Sequence, residues 1–320
     1  MRVFMVGATG TIGRATVRAL LRHGHEVVCF VRPGKAAEAA ALFPGATVRG
    51  GAVADPLSIE KDGLCGESFD ALVSCLASRT GAPRDAWAVD HQAQLNVLNA
   101  ARGAGVRQVV LLSAICVQKP LLAFQQAKLA FEQELVNSGL NYSIVRATAF
   151  FKSLSGQVAR VQAGKPYLMF GDGRLTACKP ISDDDLADFL AGCLHDTRRH
   201  RRILPIGGPG PALSPLEQGE MLFALLGRAP RFKRVPVGLL DSIVGVLGSL
   251  GRVLPPLAAK AELARIGRYY ATESMLVWDA EAGRYDATAT PSHGTQTLQD
   301  HYRALISGAL RHDSGEHAVF

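Results

Sequence analysis

Three glycines stand at a spacing that can hold a phosphate. In MVGATGTIGRAT, Gly7-x-x-Gly10-x-x-Gly13 follows directly on the apolar run RVFMV and opens a helix-period segment, Thr11 to His23. Glycine is needed where a backbone turns tightly beside a pyrophosphate, and again where a helix must pack close to a strand. The helix start then offers free N–H groups and the positive end of its dipole. A plain tight turn is the competing reading, but the strand-then-helix context favours a dinucleotide cradle built from Gly7, Thr9, Gly10, Thr11, Ile12 and Gly13. Which dinucleotide is decided after the second strand-like run, Phe30-Val31-Arg32-Pro33-Gly34-Lys35, where no acid stands before Glu38. A ribose 2′-hydroxyl calls for Asp or Glu there. Arg32 and Lys35 suit a 2′-phosphate instead, through charge-assisted hydrogen bonds, and the expected cofactor is NADPH. In the turn Gly51-Ala52-Val53-Ala54-Asp55-Pro56, Val53 is expected beside the adenine and Asp55 as a helix cap.

The glycine spacing resembles that of the extended and atypical short-chain dehydrogenase/reductases. Their usual catalytic set is a serine after the fifth strand plus Tyr-x-x-x-Lys on the next helix. The serine position is filled by Ser113 in VVLLSAICVQKP, whereas the helix reads Phe124-Gln125-Gln126-Ala127-Lys128. The lysine is kept and the tyrosine is replaced by Phe124. The resemblance implies catalytic roles for Ser113 and Lys128, with Lys128 also holding the nicotinamide ribose. Without the phenol, carbonyl and alcohol chemistry lacks its usual acid.

These residues need a scaffold. EVVCFV, ATVRG, DALVSCLA, RQVVLLSA and YSIVRATAF follow RVFMVG as strand-like runs. Helix-period segments stand between most of them, clearest at Asp85 to Arg102 and Phe124 to Asn137. This alternation predicts an α/β fold, a Rossmann-type doubly wound parallel sheet. Beyond Phe151 the pattern loosens, with helices expected at Asp183 to His195 and Ser214 to Leu226, the latter opened by a Ser214/Glu217 capping box. The expected organisation is a dinucleotide-binding domain at 1–150 and a smaller mixed substrate-side region at 151–310, interleaved with the core. A flexible tail is expected at 311–320.

The 320 residues carry a net charge of +7. That balance favours an anionic partner: nucleic acid, a membrane surface, or a phosphate- or carboxylate-bearing small molecule. The run Arg198-Arg199-His200-Arg201-Arg202 reads as a solvated loop, and nucleic acid is not expected. Six scattered cysteines show no metal-ligand spacing and read as free thiols of a reducing compartment. No resident metal is expected. Val235 to Leu257 is apolar but carries Asp241 and Arg252, so no transmembrane helix is expected. Its stripe Leu240, Ile243, Val244, Leu247 and Leu250 fits a core-packing helix, an apolar lid or a membrane-surface face. The expected location is cytoplasmic, with peripheral contact at a membrane left open.

Longer runs carry a closer resemblance. VSCLASRTG, LLSAICVQKPLLAFQQAKLAFE, YSIVRATAFFKSLSGQV, MFGDGRLTACKPIS, LPIGGPGPALSPLEQGEMLF and IGRYYATESMLVWD together resemble the NADPH-dependent divinyl chlorophyllide 8-vinyl reductase family of plants and photosynthetic bacteria. The absence of a leader before the first strand suggests a bacterial member. The resemblance implies reduction of the C8 vinyl group of a magnesium tetrapyrrole to ethyl, which would make a photosynthetic membrane the place of any peripheral contact, and places Leu76, Ala77 and Ser78 in the cofactor site. The missing tyrosine fits, because reducing a carbon–carbon double bond forms no alkoxide. A wide apolar cleft would draw on Phe150, Phe151, Met169, Phe170 and the Leu240–Leu250 stripe. A propionate would meet Lys152, Lys179 or Arg146, and His91 is a candidate axial ligand to the substrate's magnesium. Lys128, Lys119, Tyr142 and water remain open as proton donor. Two other readings are an isoflavone-reductase-like enzyme and a non-catalytic NADP sensor or assembly factor.

Overall fold

Six of the expected runs become strands: β1 (Arg2–Val6), β2 (Glu26–Val31), β3 (Thr47–Gly50), β4 (Ala71–Ser74), β5 (Gln108–Ala114) and β6 (Asn141–Ala147). Val3 to Val6 and Ala71 to Ser74 are buried along their whole length, as strands covered on both faces must be. The sheet order is β3-β2-β1-β4-β5-β6, closed by a seventh strand, Arg202–Ile206. Registers run parallel, with Val6 opposite Phe30 on one side and Ser74 on the other. The strand order reverses between β1 and β4, the switch point at which such sheets bind ligands beyond their C-terminal ends.

The computed structural model describes residues 1–251 and 255–310, and the tail expected at 311–320 lies outside the described residues. The chain forms two compact units. The first comprises Met1–Ser78, Pro83–Ala147 and Asp183–Pro205, and the second Arg79–Ala82, Thr148–Ser182 and the chain from Ile206 onward. The doubly wound sheet belongs to the first, which takes back the expected 183–195 helix, seen at Asp183–Gly192. That helix packs on Thr11–Arg22, tied to it by Arg18–Asp184 at 3.2 Å and Arg22–Asp188 at 2.8 Å. The core of this unit joins Phe4, Phe30, Ile59, Phe69, Leu98 and Phe131.

The expected 85–102 helix is interrupted. It runs as Pro83–Ala86, a π-helical stretch Trp87–Ala93, and Gln94–Gly103. A π turn rotates the side chains that follow it relative to a plain α-helix, and such turns are frequent at functional sites. Here the widened turn carries Asp90 and His91.

The second unit has its own core, with Phe151, Met169, Leu222, Phe223 and Tyr302 among its buried members. Phe151 and Met169, expected to line an open cleft, are 3% exposed each. They serve as packing, because Leu222, Phe223 and Tyr302 close around them. The Ser214/Glu217 capping box forms as expected, opening Pro215–Leu225. The apolar 235–257 stretch is divided between the helices Val237–Gly251 and Pro255–Thr272, which pack on each other. Along the first of these, Leu240, Val244 and Leu247 are half-buried. Leu239, Ile243 and Val246 are 52%, 38% and 59% exposed. The side chain of Leu250 lies outside the described set. No helix among the described residues is long and apolar enough to cross a membrane.

Candidate active site

The three glycines do different work. Gly7 has φ +77°, and a Cβ there would lie 2.4 Å from the Cys75 carbonyl carbon. Only glycine lets β1 turn against the end of β4. A Cβ on Gly13 would sit 2.0 Å from the Gly7 carbonyl oxygen, so Gly13 sets how closely the helix approaches the turn. Gly10 is open: its φ is −72° and the nearest atom to a Cβ would be 3.6 Å away. It caps the Thr11–Arg22 helix without a side-chain bond, and the first turn holds no acid. The helix start therefore presents N–H groups and uncompensated positive dipole to whatever lies before it. Tight glycines at the two ends and open space at the middle one make a cradle that fits a pyrophosphate.

The cations expected after β2 are in place. Arg32 is exposed at the strand end, and Lys35 Nζ pairs with Glu38 Oε2 at 2.7 Å. A third cation was not anticipated: Arg14 Nη2 lies 3.1 Å from the other oxygen of Glu38, and its Nε donates to Thr9 O at 2.9 Å. The hydrogen bond from Lys35, and then its charge, hold the Glu38 carboxyl below the usual carboxylate range. Arg14 directly follows Gly13, so a basic residue one step beyond the glycine motif was the available signal. Val53 is half-buried against the core, its turn held by Asn96 Nδ2 donating to Ala54 O at 3.1 Å. Asp55 caps the following turn by accepting from Leu57 N, as expected.

Beyond β4, the segment at Leu76, Ala77 and Ser78 passes the glycine turn and is held from the interrupted helix. Gln94, itself bonded to Ser74 Oγ at 2.7 Å, donates to Leu76 O at 3.4 Å. Ser78 N donates to Asp90 Oδ1 at 3.3 Å. The same oxygen receives Lys128 Nζ at 2.9 Å, with the Lys128 side chain 13% exposed and that of Asp90 fully buried. Asp90 Oδ2 is buried without a partner among the described residues. No local pattern signals this pair, because Asp90 lies 38 residues from Lys128 in the chain. Phe124, one turn before Lys128, is buried and offers no hydroxyl.

Ser113 lies at the C-terminal end of β5, opposite Arg146 of β6. Its hydroxyl donates to Glu132 Oε1 at 2.5 Å, and Arg146 closes on Glu132 Oε2 at 2.5 Å through Nη2 and 3.1 Å through Nε. Glu132 is one turn beyond Lys128 on the Ala123–Asn137 helix, so Ser113 and Arg146 anchor the helix that carries the lysine. Arg146 and Lys179, expected near a propionate, both have partners within the protein. Lys179 Nζ donates to Thr290 O at 2.9 Å and approaches Ser292 Oγ at 3.2 Å. Tyr142, one of the expected proton-donor candidates, is opposite Val109 at the N-terminal end of β6, whereas the glycine turn lies at the C-terminal end of the strands. His91 is half-buried, its ring edge-on to exposed Trp87 with centroids 5.4 Å apart.

A glycine turn at the switch point, cations at the end of β2 and a buried lysine on the helix after β5 define a Rossmann-type dinucleotide-binding protein of the atypical short-chain dehydrogenase/reductase class. The NAD(P)H-binding family model matches residues 7–197. An Escherichia coli NADPH-dependent quinone oxidoreductase solved with NADPH shares the fold, with a TM-score of 0.70 and 20% identity over 95% of this chain and 99% of that one. Nearer in sequence is the chloroplastic divinyl chlorophyllide a 8-vinyl-reductase of Oryza sativa subsp. indica, 51% identical over 99% of this chain and 82% of that protein. The Zea mays protein of the same description is 49% identical over the same shares. The chain belongs to the NAD(P)H-binding family and, within it, to the divinyl chlorophyllide a 8-vinyl-reductases.

Proposed function

We propose that this protein reduces the C8 vinyl group of a magnesium divinyl chlorophyllide to ethyl, with NADPH as cofactor. The observation that supports this reading best is the full-length likeness to the plant vinyl reductases, which extends well beyond the dinucleotide-binding part. When bound, NADPH supplies a hydride to one vinyl carbon, and a proton on the other carbon completes the ethyl group and leaves NADP⁺. The chain's own residues bind and orient. Gly7, Gly10 and Gly13, with Thr9, Thr11 and Ile12, cradle the pyrophosphate; Arg32, Lys35 and Arg14 face the 2′-phosphate; Val53 takes the adenine side. Leu76, Ala77, Ser78 and Lys128 hold the nicotinamide half. Ser113 acts through Glu132, fixing the helix that carries Lys128.

Phe124 in place of tyrosine is consistent with this chemistry. A carbonyl reductase must protonate a developing alkoxide, whereas an alkene adjoining a conjugated macrocycle spreads its charge over the ring. Trp87 offers an exposed flat ring and His91 an imidazole beside it, a combination suited to a macrocycle with a central magnesium. The exposed face of Leu239, Ile243 and Val246 suits peripheral contact between a cytoplasmic protein and the photosynthetic membrane. Vesicle flotation that is unchanged by Leu239→Ser/Val246→Ser would remove that contact from the reading.

The test is to mix the protein with NADPH and divinyl chlorophyllide and follow the Soret band and chromatographic retention. Monovinyl product that forms with NADPH and not with NADH is expected. Tight NADPH binding with no conversion would favour a different conjugated alkene or a non-catalytic role.

A further inference from the structure

The buried pair Asp90–Lys128 is not explained by stability. Its carboxylate has one cation at 2.9 Å, one long backbone contact at 3.3 Å, and an oxygen with no partner among the described residues. Removing two charges from water costs more than an incompletely satisfied pair returns, and an apolar pair of similar size would pack at lower cost. The carboxylate also sits on the only turn of its helix that departs from α geometry within Pro83–Gly103. That turn swings Asp90 inward while keeping Trp87 exposed.

Both contacts of Asp90 reach residues expected at the nicotinamide half of the cofactor. Lys128 comes from the helix after β5, and Ser78 N from the segment after β4. One oxygen atom thus links the two elements that must be spaced correctly around a bound ring. Lys128 has a flexible four-carbon stem and, without an anion beside it, several rotamers of similar energy. Its own helix is fixed separately, by Glu132 to Ser113 and Arg146. That leaves the terminal ammonium as the one part of the arrangement that needs its own anchor.

We infer that Asp90 is a positioning residue for the reduction: through Oδ1 it fixes the Lys128 ammonium and the Ser78 backbone together, setting the nicotinamide half of the cofactor site. The inference rests on the vinyl-reductase reading. It requires no proton to leave Asp90 and no contact between Asp90 and substrate.

Asp90→Asn keeps the shape and removes the charge. In the full-length enzyme, the rate constant of a single turnover with bound NADPH and divinyl chlorophyllide is expected to fall about ten- to a hundredfold, the usual result of a slightly misplaced reacting group. NADPH affinity should change little, since the pyrophosphate and 2′-phosphate contacts are intact. A single-turnover constant does not depend on how much of the protein is folded, so a merely destabilised variant would keep the wild-type value. Lys128→Met should show a loss of similar size, and adding Asp90→Asn to it should cost nothing more. Wild-type turnover in Asp90→Asn, or losses that multiply in the double variant, would overturn the inference. If the Asn protein does not fold, Asp90→Glu keeps the charge and moves the oxygens by one methylene; wild-type turnover there overturns it equally. A wild-type protein inactive on divinyl pigment, by contrast, would count against the proposed reaction itself.

Discussion

Gly10 and Gly13 stand three residues apart in one turn, and the structure predicts opposite outcomes for their replacement. At Gly10 the backbone is unstrained and a Cβ would have 3.6 Å of clearance. The cost to the fold of Gly10→Ala is confined to a poorer helix cap, at most about 1 kcal/mol. For a protein of this size that lowers Tm by about 1–2 °C. The added methyl nevertheless occupies the space before the helix start. A pyrophosphate pushed off two N–H groups forfeits about 1.5–3 kcal/mol for each charge-assisted bond. Two such bonds correspond to a loss of at least about a hundredfold in NADPH affinity. Gly13→Ala meets the Gly7 carbonyl oxygen at 2.0 Å, and neither atom belongs to a flexible side chain. The helix must move away from β1, at about 1–3 kcal/mol or more. Fluorescence titration with NADPH, beside thermal unfolding of the cofactor-free proteins, separates the two effects. Gly10→Ala binding NADPH within threefold of wild type would refute the cradle as the pyrophosphate site. Gly13→Ala unfolding at the wild-type temperature would refute the packing argument.

Glu132→Ala removes the acid that joins Ser113 to Arg146, leaving a largely buried guanidinium with that partner gone; the expected loss is about 3–5 kcal/mol in urea unfolding, and a loss below about 1 kcal/mol would show that the network is not structural. Acid sensitivity should arise at the opposite edge of the sheet. His25 is 5% exposed, its Nδ1 has no partner among the described residues, and its Nε2 lies 3.2 Å from His195 Nε2. Burial first, then the charges of the N-terminus, His195 and His23, lower its pKa from 6.5 to about 4. The unfolded chain therefore takes up this proton near pH 6.5 while the folded one resists it. The stabilisation is complete above pH 6.5 and is lost as pH falls towards 4, by about 3 kcal/mol in all. A His25→Gln protein whose Tm falls as steeply as the wild type over that range would show that the acid lability arises elsewhere.

The parts of this molecule that were legible in the sequence are those set by nearest neighbours along the chain. Val3 to Val6 announce a covered strand, the three glycines a turn into a helix, and Ser214 with Glu217 a helix start, because each signal is complete within a few residues. What escaped notice depends on pairs brought together by folding. Phe151 and Met169 look the same as cleft-lining residues in sequence, and only the packing of Leu222, Phe223 and Tyr302 around them makes them core. The Asp183–Gly192 helix follows the last long β strand and reads as part of a later region. It returns to the sheet because Thr11–Arg22 needs a partner on its outer face. Arg14 was legible as a cation but not as one sharing a carboxylate with Lys35, since Glu38 lies 24 residues away.

The replacement of tyrosine by Phe124 bears on how Lys128 works. In a carbonyl reductase the lysine beside the phenol favours its ionised form as well as holding the ribose. Here no phenol is present to tune, and the role proposed for Lys128 is to bind and orient from its place on the helix. An ammonium that orients must itself be oriented, and long lysine stems lose substantial rotamer entropy when fixed. A partner in water would hold it only weakly, because exposed pairs are worth little. A fully buried carboxylate, placed by a turn that breaks the helical repeat, holds it more firmly at the expense of an unsatisfied oxygen. On the proposed reading, Phe124 and the buried carboxylate of Asp90 belong to one arrangement, in which Lys128 serves by its position.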